Sequence, residues 1–468
     1  MDRLLLSAAH KSSGKTTVSV GLCAALAADG RAVAPFKKGP DYIDPMWLER
    51  AAGRPCFNLD AYLMTDAALA RCLHRGARGA DLVLVEGNKG LYDGLSLDGS
   101  NSNAALARRF GLPVLLIIDA RGMTRGIAPL ILGYQAFDRE LRIGGVILNR
   151  VGGPRHEAKL RAVIEHYTDV PVLGAVAEDR RLSMTERHLG LMPCAEVDDA
   201  DARVRSIGHI VGAQVDLRRV CELAASAPPL NLPPRAVRRT LGPADVRIGI
   251  ARDRAFGFYY PDDLVALQDA GAELVPFDTL HDRALPAIDG LVIGGGFPET
   301  AMLELEANAG MRQSIRLAIE AGLPTYAECG GLMYLARSVR WQGRVAQMVG
   351  AIPGDVVMHE RPVGRGYVHL EETAAMPWRG RVSDLRGHEF HHSSLVGLDP
   401  GVEFAYRVKR GHGIDGERDG VVVHNLLASY AHLRDAAGAR WGGRFVEFVR
   451  RQRAGRAPAQ RPAALGVR

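Results

Sequence analysis

Residues 4–20 read LLLSAAHKSSGKTTVSV, in which a leucine-rich run leads through a loop of small polar residues into a helix-like run. The SGKTT segment is the C-terminal half of a phosphate-binding loop, whose backbone N–H groups surround phosphate oxygens at a helix N-terminus. In such a loop Lys15 neutralises the terminal phosphates and the Thr16 hydroxyl binds Mg²⁺. A glycine–serine turn that only caps a helix is the alternative, and Ala9 replaces the first glycine of the strict pattern. The strand–loop–helix setting favours ATP binding, through Ser13, Gly14, Lys15, Thr16 and Thr17.

Strand-like apolar runs alternate with helix-like runs through the first half of the chain. Continuous apolar strands that alternate with helices are typical of a parallel sheet covered on both faces. The sequence therefore predicts an α/β fold that begins with a P-loop parallel-sheet domain. The predicted strands are LLLSAA (4–9), AVAPFKK (32–38), LVLVEG (82–87), VLLIIDA (114–120), GVILNR (145–150) and VLGAVA (172–177).

This alternation breaks near residue 226, where SAPPLNLPPRAVRRTLGPADV contains five prolines. Proline removes backbone donors that helices and sheets need, so this segment predicts a linker. A second alternation follows, with strands predicted at 246–251, 272–277, 290–296 and 324–328, and the later runs GRGYVHLE, VEFAYRVKR and GVVVHNLLASY predict antiparallel strands that end in a helix. The predicted organisation is an ATP-binding domain over 1–225, a linker over 226–245, a second α/β domain over 246–450 and a flexible basic tail over 451–468.

Composition narrows the class of protein. The 468 residues are 47% hydrophobic, which is typical of a globular protein, and no apolar run is long enough to predict a membrane span. The six cysteines are scattered without a CxxC pair, which predicts a reducing, cytoplasmic location. Much of the net charge of +6 comes from the C-terminal tail, without the basic–aromatic interleaving that stacks bases. We therefore predict anionic small-molecule substrates, and neither nucleic acid nor membrane as a partner.

Acidic residues follow several predicted strands of the first domain. Because an open α/β sheet binds ligands at the carboxyl ends of its strands, these residues are candidates for a Mg²⁺–nucleotide site. An Asx turn or a helix cap is the alternative for each single aspartate. Asn149 ends GVILNR and is predicted either to contact the nucleotide base or to be a plain turn residue. The acidic candidates are Asp41, Asp44, Glu86, Asp93 and Asp119.

The segment TYAECGGLMYL (325–335) places Cys329 between a short apolar run and a glycine pair. A strand–turn–helix elbow would expose this thiol as a nucleophile. A buried structural thiol is the alternative, because cysteine is among the most buried residue types.

Taken together, six segments resemble the cobyrinate a,c-diamide synthase family. That family joins a dethiobiotin-synthetase-like ATPase domain to a class I glutamine amidotransferase domain, so the resemblance implies the same two-domain α/β architecture. The segments follow the family order between about residue 4 and about residue 448. They are SSGKTT, PFKKGPDYIDP, VEGNKGLYDG, AECGGLMYL, GHEFHHS and ASYAHL.

The resemblance implies ATP- and glutamine-dependent amidation of the a and c carboxylates of cobyrinate or hydrogenobyrinate, in cobalamin biosynthesis. It implies that Cys329 is the glutaminase nucleophile and His432 its base. The implied partners are ATP, glutamine and a corrin-type tetrapyrrole, Mg²⁺ is the implied cofactor, and a homodimer is compatible with this assignment. By position, Thr16, Asp41 and Glu86 are expected to bind the metal, and Asp41, Tyr42 and Asp93 the macrocycle.

Elementary chemistry adds an oxyanion hole to this site. A thiolate that attacks an amide creates a negative oxygen, which needs N–H donors. We expect these donors to be the backbone N–H of Gly330 and one from the Gly294–Gly296 turn, with Gly295 as the candidate.

The sequence departs from the expected pattern at two places. Most class I glutaminases carry a carboxylate two residues after the histidine, but this chain has Arg434 there. Either a dyad operates or another group orients His432. The loop GNKG (87–90) has Asn88 and Lys89 where apolar residues are expected, so another tetrapyrrole, such as sirohaem or nickel-sirohydrochlorin, is an alternative substrate.

Two other classes of function are weighed against the amide ligase. A nucleotide-switch protein with an inert second domain would lack the cysteine or the histidine, and both are present. A hydrolase that uses Cys329 alone leaves the acidic set of the first domain unexplained. The cluster His388, Glu389, His391 and His392 could in principle bind a metal, but the resemblance implies that this segment belongs to the glutaminase domain, so contacts to glutamine or to a domain interface are favoured over metal binding. We expect His10, His156 and His188 to be surface or loop residues.

Overall fold

The computed structural model describes residues 1–187, 190–230, 244–435 and 439–455. The chain divides into two compact units, Met1–Ala236 and Val237–Arg468. Most of the predicted linker, most of the predicted basic tail and His188 lie outside the described residues, so those domain boundaries stay predictions. Among the described residues, no helix is both long and apolar enough to cross a membrane.

A seven-stranded parallel sheet forms the centre of the first unit, in the order β3-β2-β4-β1-β5-β6-β7. Every residue of β2, β4 and β5 is buried, as expected of parallel strands covered on both faces. The predicted strands are confirmed, and the short β3 is an addition. The strands are β1 (Asp2–Ala8), β2 (Val33–Lys38), β3 (Phe57–Leu59), β4 (Leu82–Glu86), β5 (Val114–Asp119), β6 (Ile143–Val151) and β7 (Val172–Ala177), followed by the hairpin β8 (Glu186–Arg187) and β9 (Gly190–Leu191).

Helices cover both faces of this sheet, because parallel strands need crossover connections. Leu4 and Leu6 of β1 pack in a core with the first, second and seventh helices, whereas Leu5 is equally buried and faces the other side. The helices are α1 (Lys15–Ala28), α2 (Ile43–Ala52), α3 (Asp66–Gly76), α4 (Asn103–Phe110), α5 (Ile127–Phe137), α6 (Pro154–Tyr167), α7 (Ala200–Gly212) and α8 (Leu217–Ala225).

The second unit is built on a nine-stranded mixed sheet, in the order β11-β10-β12-β13-β22-β21-β20-β17-β18, and on a four-stranded sheet, in the order β15-β14-β16-β19. The predicted antiparallel strands and the closing helix are confirmed. The strands are β10 (Val246–Ala251), β11 (Ala272–Phe277), β12 (Gly290–Ile293), β13 (Thr325–Glu328), β14 (Ser338–Trp341), β15 (Arg344–Gln347), β16 (Asp355–Met358), β17 (Gly364–Glu372), β18 (Leu385–His391), β19 (Ser393–Val396), β20 (Glu403–Arg410), β21 (Arg418–Val423) and β22 (Leu426–Ser429).

Strand β22 lies at the boundary between the two halves of the large sheet. It pairs in parallel with β13 and antiparallel with β21, so the run GVVVHNLLASY contributes one strand to each half. The helices of this unit are α9 (Pro261–Asp269), α10 (Met302–Ala307), α11 (Ala309–Glu320), α12 (Gly330–Leu335) and α13 (Trp441–Gly455).

Candidate active sites

The phosphate-loop candidate forms the connection between β1 and α1. Ser12 and Gly14 both adopt positive φ angles, 63° and 84°, and α1 begins at Lys15. A β-carbon on Gly14 would stand 2.2 Å from the side-chain nitrogen of Asn149, so the loop needs glycine for both its conformation and its space. This geometry leaves the first N–H groups of the helix at the loop, where they can bind an anion.

Lys15 is almost fully buried at the start of the helix, with 7% of its surface exposed. Burial, together with the charge of Lys37, lowers the pKa of Lys15 to about 8, although Glu86, Asp44 and Asp93 act in the opposite direction. A negative ligand would stabilise the charged form of a lysine that is buried in this way. Lys15 is therefore well placed to neutralise a phosphate.

Buried polar contacts join the ends of β2 and β4 to Thr16. The Thr16 hydroxyl contacts Glu86 Oε1 at 2.8 Å and Asp44 Oδ2 at 3.2 Å. The Lys37 ammonium donates to both carboxylates, at 2.5 Å to Asp44 and 2.8 Å to Glu86. Burial alone would lower the pKa of Lys37, but these carboxylates raise it well above its usual value. Lys37 was not among the residues predicted from the sequence.

The predicted acidic set is brought together only in part. Asp41 Oδ1 accepts from the backbone N–H groups of Ile43 and Asp44, both at 3.0 Å, and so caps α2. Its other oxygen lies 4.0 Å from the Lys37 ammonium, and Asp44 is the aspartate that contacts Thr16. Burial and the charge of Asp44 raise the pKa of Asp41 to about 7.

The predicted macrocycle residues Tyr42 and Asp93 lie in two different connections. Tyr42 immediately precedes α2. Asp93 lies in the connection between β4 and α4, where its Oδ2 accepts from the backbone N–H of Gly90 at 2.8 Å. Both connections leave the carboxyl ends of neighbouring strands, the edge of the sheet at which α/β folds bind ligands.

A pocket of about 430 Å³ extends from the phosphate loop to the segment after β7. Asn149 lines this pocket, and its amide nitrogen donates to the backbone oxygen of Ser13 at 2.9 Å. Asn149 therefore supports the phosphate loop through this hydrogen bond. The sequence did not predict this role in addition to the base contact. Asp119 binds Arg121 and Arg150, each through at least one contact under 3 Å. The pocket volume lies within the range of about 300–1,000 Å³ that is common for small-molecule sites.

In the second unit, Cys329 occupies a sharp turn between β13 and α12. Its φ of 48° and ψ of −104° are strained for a non-glycine residue, which is typical of a nucleophile elbow. The two following glycines allow close packing, because a β-carbon on Gly330 would stand 2.8 Å from the Gly296 oxygen and one on Gly331 would stand 2.2 Å from the Ile293 oxygen.

His432 follows β22 and is buried beside Cys329, with 3% of its surface exposed. Burial alone would lower the pKa of His432, but hydrogen bonds to Cys329 and Glu328 and the charges of both groups raise it to about 10. The imidazole is therefore a cation at neutral pH, and a cation in contact with the sulfur favours the reactive thiolate.

The candidate oxyanion donors lie against this pair. Gly294 is excluded as an oxyanion donor, because its N–H donates to the Tyr259 hydroxyl at 2.9 Å. A β-carbon on Gly295 would stand 2.6 Å from the His432 ring, so the Gly295 backbone directly borders the reacting groups. Gly330 follows the nucleophile at the first position of α12.

The GHEFHHS residues form a support next to this site. The His388 and His432 backbones exchange hydrogen bonds of 3.0 and 2.7 Å. Glu389 accepts from two backbone N–H groups, and His391 stacks on Tyr430 with ring centroids 3.8 Å apart. Within the described ranges, no group of three or more histidine, cysteine, aspartate or glutamate side chains is arranged to hold a metal ion.

Comparison with known proteins assigns both units. The profile of the CobQ/CobB/MinD/ParA nucleotide binding domain matches residues 7–191, and that of the CobB/CobQ-like glutamine amidotransferase domain matches residues 247–437. A cobyrinate a,c-diamide synthase of Magnetococcus marinus is 46% identical over 96% of this chain and 97% of its own length. The chain belongs to the cobyrinate a,c-diamide synthase family.

Two archaeal members of the cobyrinate a,c-diamide synthase family match over a similar extent. The protein of Methanosarcina acetivorans is 43% identical over 98% of this chain and 97% of its own length. That of Methanothermobacter thermautotrophicus is 37% identical over 95% of this chain and 98% of its own length. Among solved structures, a glutamine amidotransferase covers 43% of this chain and 98% of its own at 20% identity, with a TM-score of 0.33.

The charge state of His432 leads to a testable pH dependence. Because its pKa is about 10, the imidazole stays protonated across the neutral range and keeps a positive charge beside the sulfur. We expect the rate of Cys329 alkylation by iodoacetamide, followed by peptide mass spectrometry, to change by less than about 3-fold between pH 6 and 9. In a His432→Gln variant the rate should rise by up to about 10-fold per unit of pH below about 8.5, as for an ordinary thiol. Equal profiles in the two proteins would contradict this assignment.

Proposed function

We propose that this protein is an ATP- and glutamine-dependent amide ligase that converts the a and c carboxylates of cobyrinate or hydrogenobyrinate into carboxamides. The observation that carries the proposal is the presence of two chemically complete sites in one family member. The first is the phosphate loop with Lys15 and its acidic neighbours, and the second is the Cys329–His432 pair on a strained elbow.

The first unit gives the substrate carboxylate a good leaving group. A carboxylate does not react with ammonia directly, because an oxide would have to leave. An oxygen of the macrocycle carboxylate attacks the γ-phosphorus of ATP, the bond to the β-phosphate oxygen breaks, and an acyl phosphate and ADP form. Such a transfer is catalysed mainly by positioning and by charge neutralisation, which Lys15 and Lys37 supply as cations.

The second unit supplies ammonia. The Cys329 thiolate attacks the side-chain amide carbon of glutamine, and the His432 imidazolium donates its proton to the departing ammonia. Water then hydrolyses the thioester to glutamate. We assign the oxyanion hole of both steps to the backbone N–H groups of Gly295 and Gly330. Ammonia displaces phosphate from the acyl phosphate and gives the carboxamide.

We also propose Mg²⁺ as the cofactor, held by Thr16, Glu86 and Asp44, with Asp41 at a greater distance. The fit of this site is supported by Glu86, whose Oε2 is buried and makes no hydrogen bond within the described part of the chain. Hydroxyl and carboxylate oxygens are the ligands that Mg²⁺ prefers. A bound Mg²⁺ would neutralise charge on the ATP phosphates.

The macrocycle is proposed to bind next to this site, where Asp41, Tyr42 and Asp93 line the carboxyl edge of the sheet. Lys89, in the same connection as Asp93, is exposed and has a φ of 54°. A cation at this edge suits a substrate that carries several peripheral carboxylates. Because the family pattern predicts an apolar residue here, Lys89 also keeps sirohaem as the second candidate substrate.

We propose a cytoplasmic location and a homodimeric assembly. All six cysteines are described and none forms a disulfide, which fits a reducing cytoplasm. We also propose small anions as partners in place of nucleic acid or membranes, because the sequence lacks the basic–aromatic interleaving that stacks bases. A homodimer stays a prediction, which light scattering of the purified protein would test.

Mass spectrometry of a tetrapyrrole panel tests the function. Purified protein is incubated with glutamine, Mg-ATP and either cobyrinate, hydrogenobyrinate or sirohaem. Two mass decreases of about 1 Da each, one for every carboxylate converted into a carboxamide, are expected for cobyrinate or hydrogenobyrinate. Amidation of sirohaem alone would retain the mechanism and replace the substrate. Glutamine hydrolysis without amidation of any macrocycle would overturn the acceptor, and no ATP-dependent reaction at all would favour a nucleotide switch.

A further inference from the structure

Arg434, two positions after His432, does not orient the imidazole, because its side chain makes other contacts. Its side chain is buried, with 1% of its surface exposed, and it forms an ion pair with Asp262 at 2.7 Å. Its guanidinium also lies over the Tyr260 ring, 4.6 Å from the centroid. Arg434 therefore fastens the segment after His432 to the start of α9, and another group must position the histidine.

A carboxylate reaches His432 from the other side. Glu328 Oε2 lies 3.4 Å from His432 Nδ1. Glu328 Oε1 is held independently, since it accepts from the Tyr326 hydroxyl at 2.5 Å and from the backbone N–H of Leu433 at 2.8 Å. One oxygen is thus fixed by the protein, and the other faces the imidazole.

Strand pairing explains how a residue next to the nucleophile can do this. Glu328 pairs in register with Ser429, the last residue of β22, and His432 follows shortly after. The chain turns sharply at Cys329, and the Cys329 and Glu328 side chains both contact the imidazole. The backbone exchange with His388 holds the histidine between them.

We propose that Glu328 is the positioning residue of the glutaminase base and takes the place of the carboxylate that follows the histidine in most class I glutaminases. This inference rests on the proposed roles of Cys329 and His432. With Nδ1 directed at the carboxylate, the other ring nitrogen faces the sulfur and the leaving ammonia. The negative charge also stabilises the imidazolium, as the buried aspartate does in serine proteases.

The other ionisable groups near the imidazole do not compensate for Glu328. The His388 ring is 6.4 Å away, and burial, followed by the charge of His432, lowers the pKa of His388 to about 3, so it is neutral. The charge of Arg434 is balanced by Asp262. Glu328 and the Cys329 thiolate therefore carry the negative charge that His432 experiences.

Glu328→Gln tests the proposal, because glutamine has the same shape and keeps an acceptor for Tyr326 and Leu433 but carries no charge. We expect glutamine hydrolysis to fall by about 10²–10⁴-fold, the range seen when an orienting carboxylate is lost. Amidation with ammonium chloride should stay within about 2-fold of the unmodified protein. Cys329 alkylation should become pH-dependent between pH 6 and 9, a change that a purely structural role would not produce.

Glu372→Gln is the matched control, since Glu372 is also buried and ion-paired in the same unit, with Arg444 at 2.6 Å. It should retain glutamine hydrolysis. Unchanged hydrolysis and an unchanged alkylation profile in Glu328→Gln would overturn the proposal. If Glu328→Gln also loses ammonia-dependent amidation, the Tyr326→Phe variant is tested in its place. We expect Tyr326→Phe to lower glutamine hydrolysis about 3–10-fold. Unchanged glutamine hydrolysis in this variant would overturn the proposal. Glutamine hydrolysis needs no macrocycle, so failure of the proposed substrate would appear separately.

Discussion

Replacing Cys329 by alanine is expected to abolish glutamine-dependent amidation, by more than about 10⁴-fold, while amidation with ammonium salts continues. The physical reason is that the two units perform separable chemistry. The first needs only ammonia and an acyl phosphate, and the second makes ammonia through the sulfur at the elbow. Carboxamide formation is measured by mass spectrometry with glutamine and with ammonium chloride as alternative nitrogen sources.

The matched control is Cys221→Ala, which removes a half-buried thiol of α8 and should leave both activities unchanged. The ammonia-dependent activity of Cys329→Ala also shows whether the first unit of this variant is correctly folded. Release of glutamate by Cys329→Ala at the rate of the unmodified protein would mean that another group is the nucleophile.

Lys15→Met is expected to give the opposite pattern, in which amidation is lost with either nitrogen source and glutamine hydrolysis persists. Removal of one preorganised donor to developing negative charge costs about 10²–10³-fold in kcat, and we expect a loss at the upper end because Lys15 is buried beside the loop. Formation of ADP and of carboxamide is followed together, with glutamate release as the internal measure of the second unit.

Lys11→Met is the control for the loop lysine. It removes an exposed lysine from the same connection and should lower amidation by less than about 2-fold. Equal losses in the Lys11 and Lys15 variants would contradict a specific phosphate contact and would point to a general effect of loop charge.

The parts of the fold that follow from local patterns were predictable. Strands β4 and β5 are continuous apolar runs that are buried on both faces. An apolar run of this kind predicts a buried parallel strand from the sequence alone. The three-residue β3 and the small sheet of β14, β15, β16 and β19 were not predicted. Their strands are short, and strands of this length have too few residues to establish a period.

The candidate sites show a similar division. Motif residues such as Lys15, Thr16 and Cys329 are recognisable because each stands at a fixed offset within one segment. Lys37 and Glu328 were missed because their roles come from partners distant in sequence. Lys37 bridges Asp44 and Glu86 across neighbouring strands, and Glu328 reaches His432 through the β13–β22 pairing. Asn149 was predicted either to contact the nucleotide base or to be a turn residue, and its amide also donates to the backbone oxygen of Ser13, a contact that only the folded loop defines.

The pairing of β13 with β22 also determines when the enzyme becomes active during its synthesis. The nucleophile strand and the strand that precedes the base are separated by every element from α12 to β21, so they cannot pair until most of the second unit has left the ribosome. The phosphate loop and its acidic neighbours are complete long before that point. A chain that still lacks β22 therefore contains the phosphate loop but not the Cys329–His432 pair, and we expect it to be unable to hydrolyse glutamine.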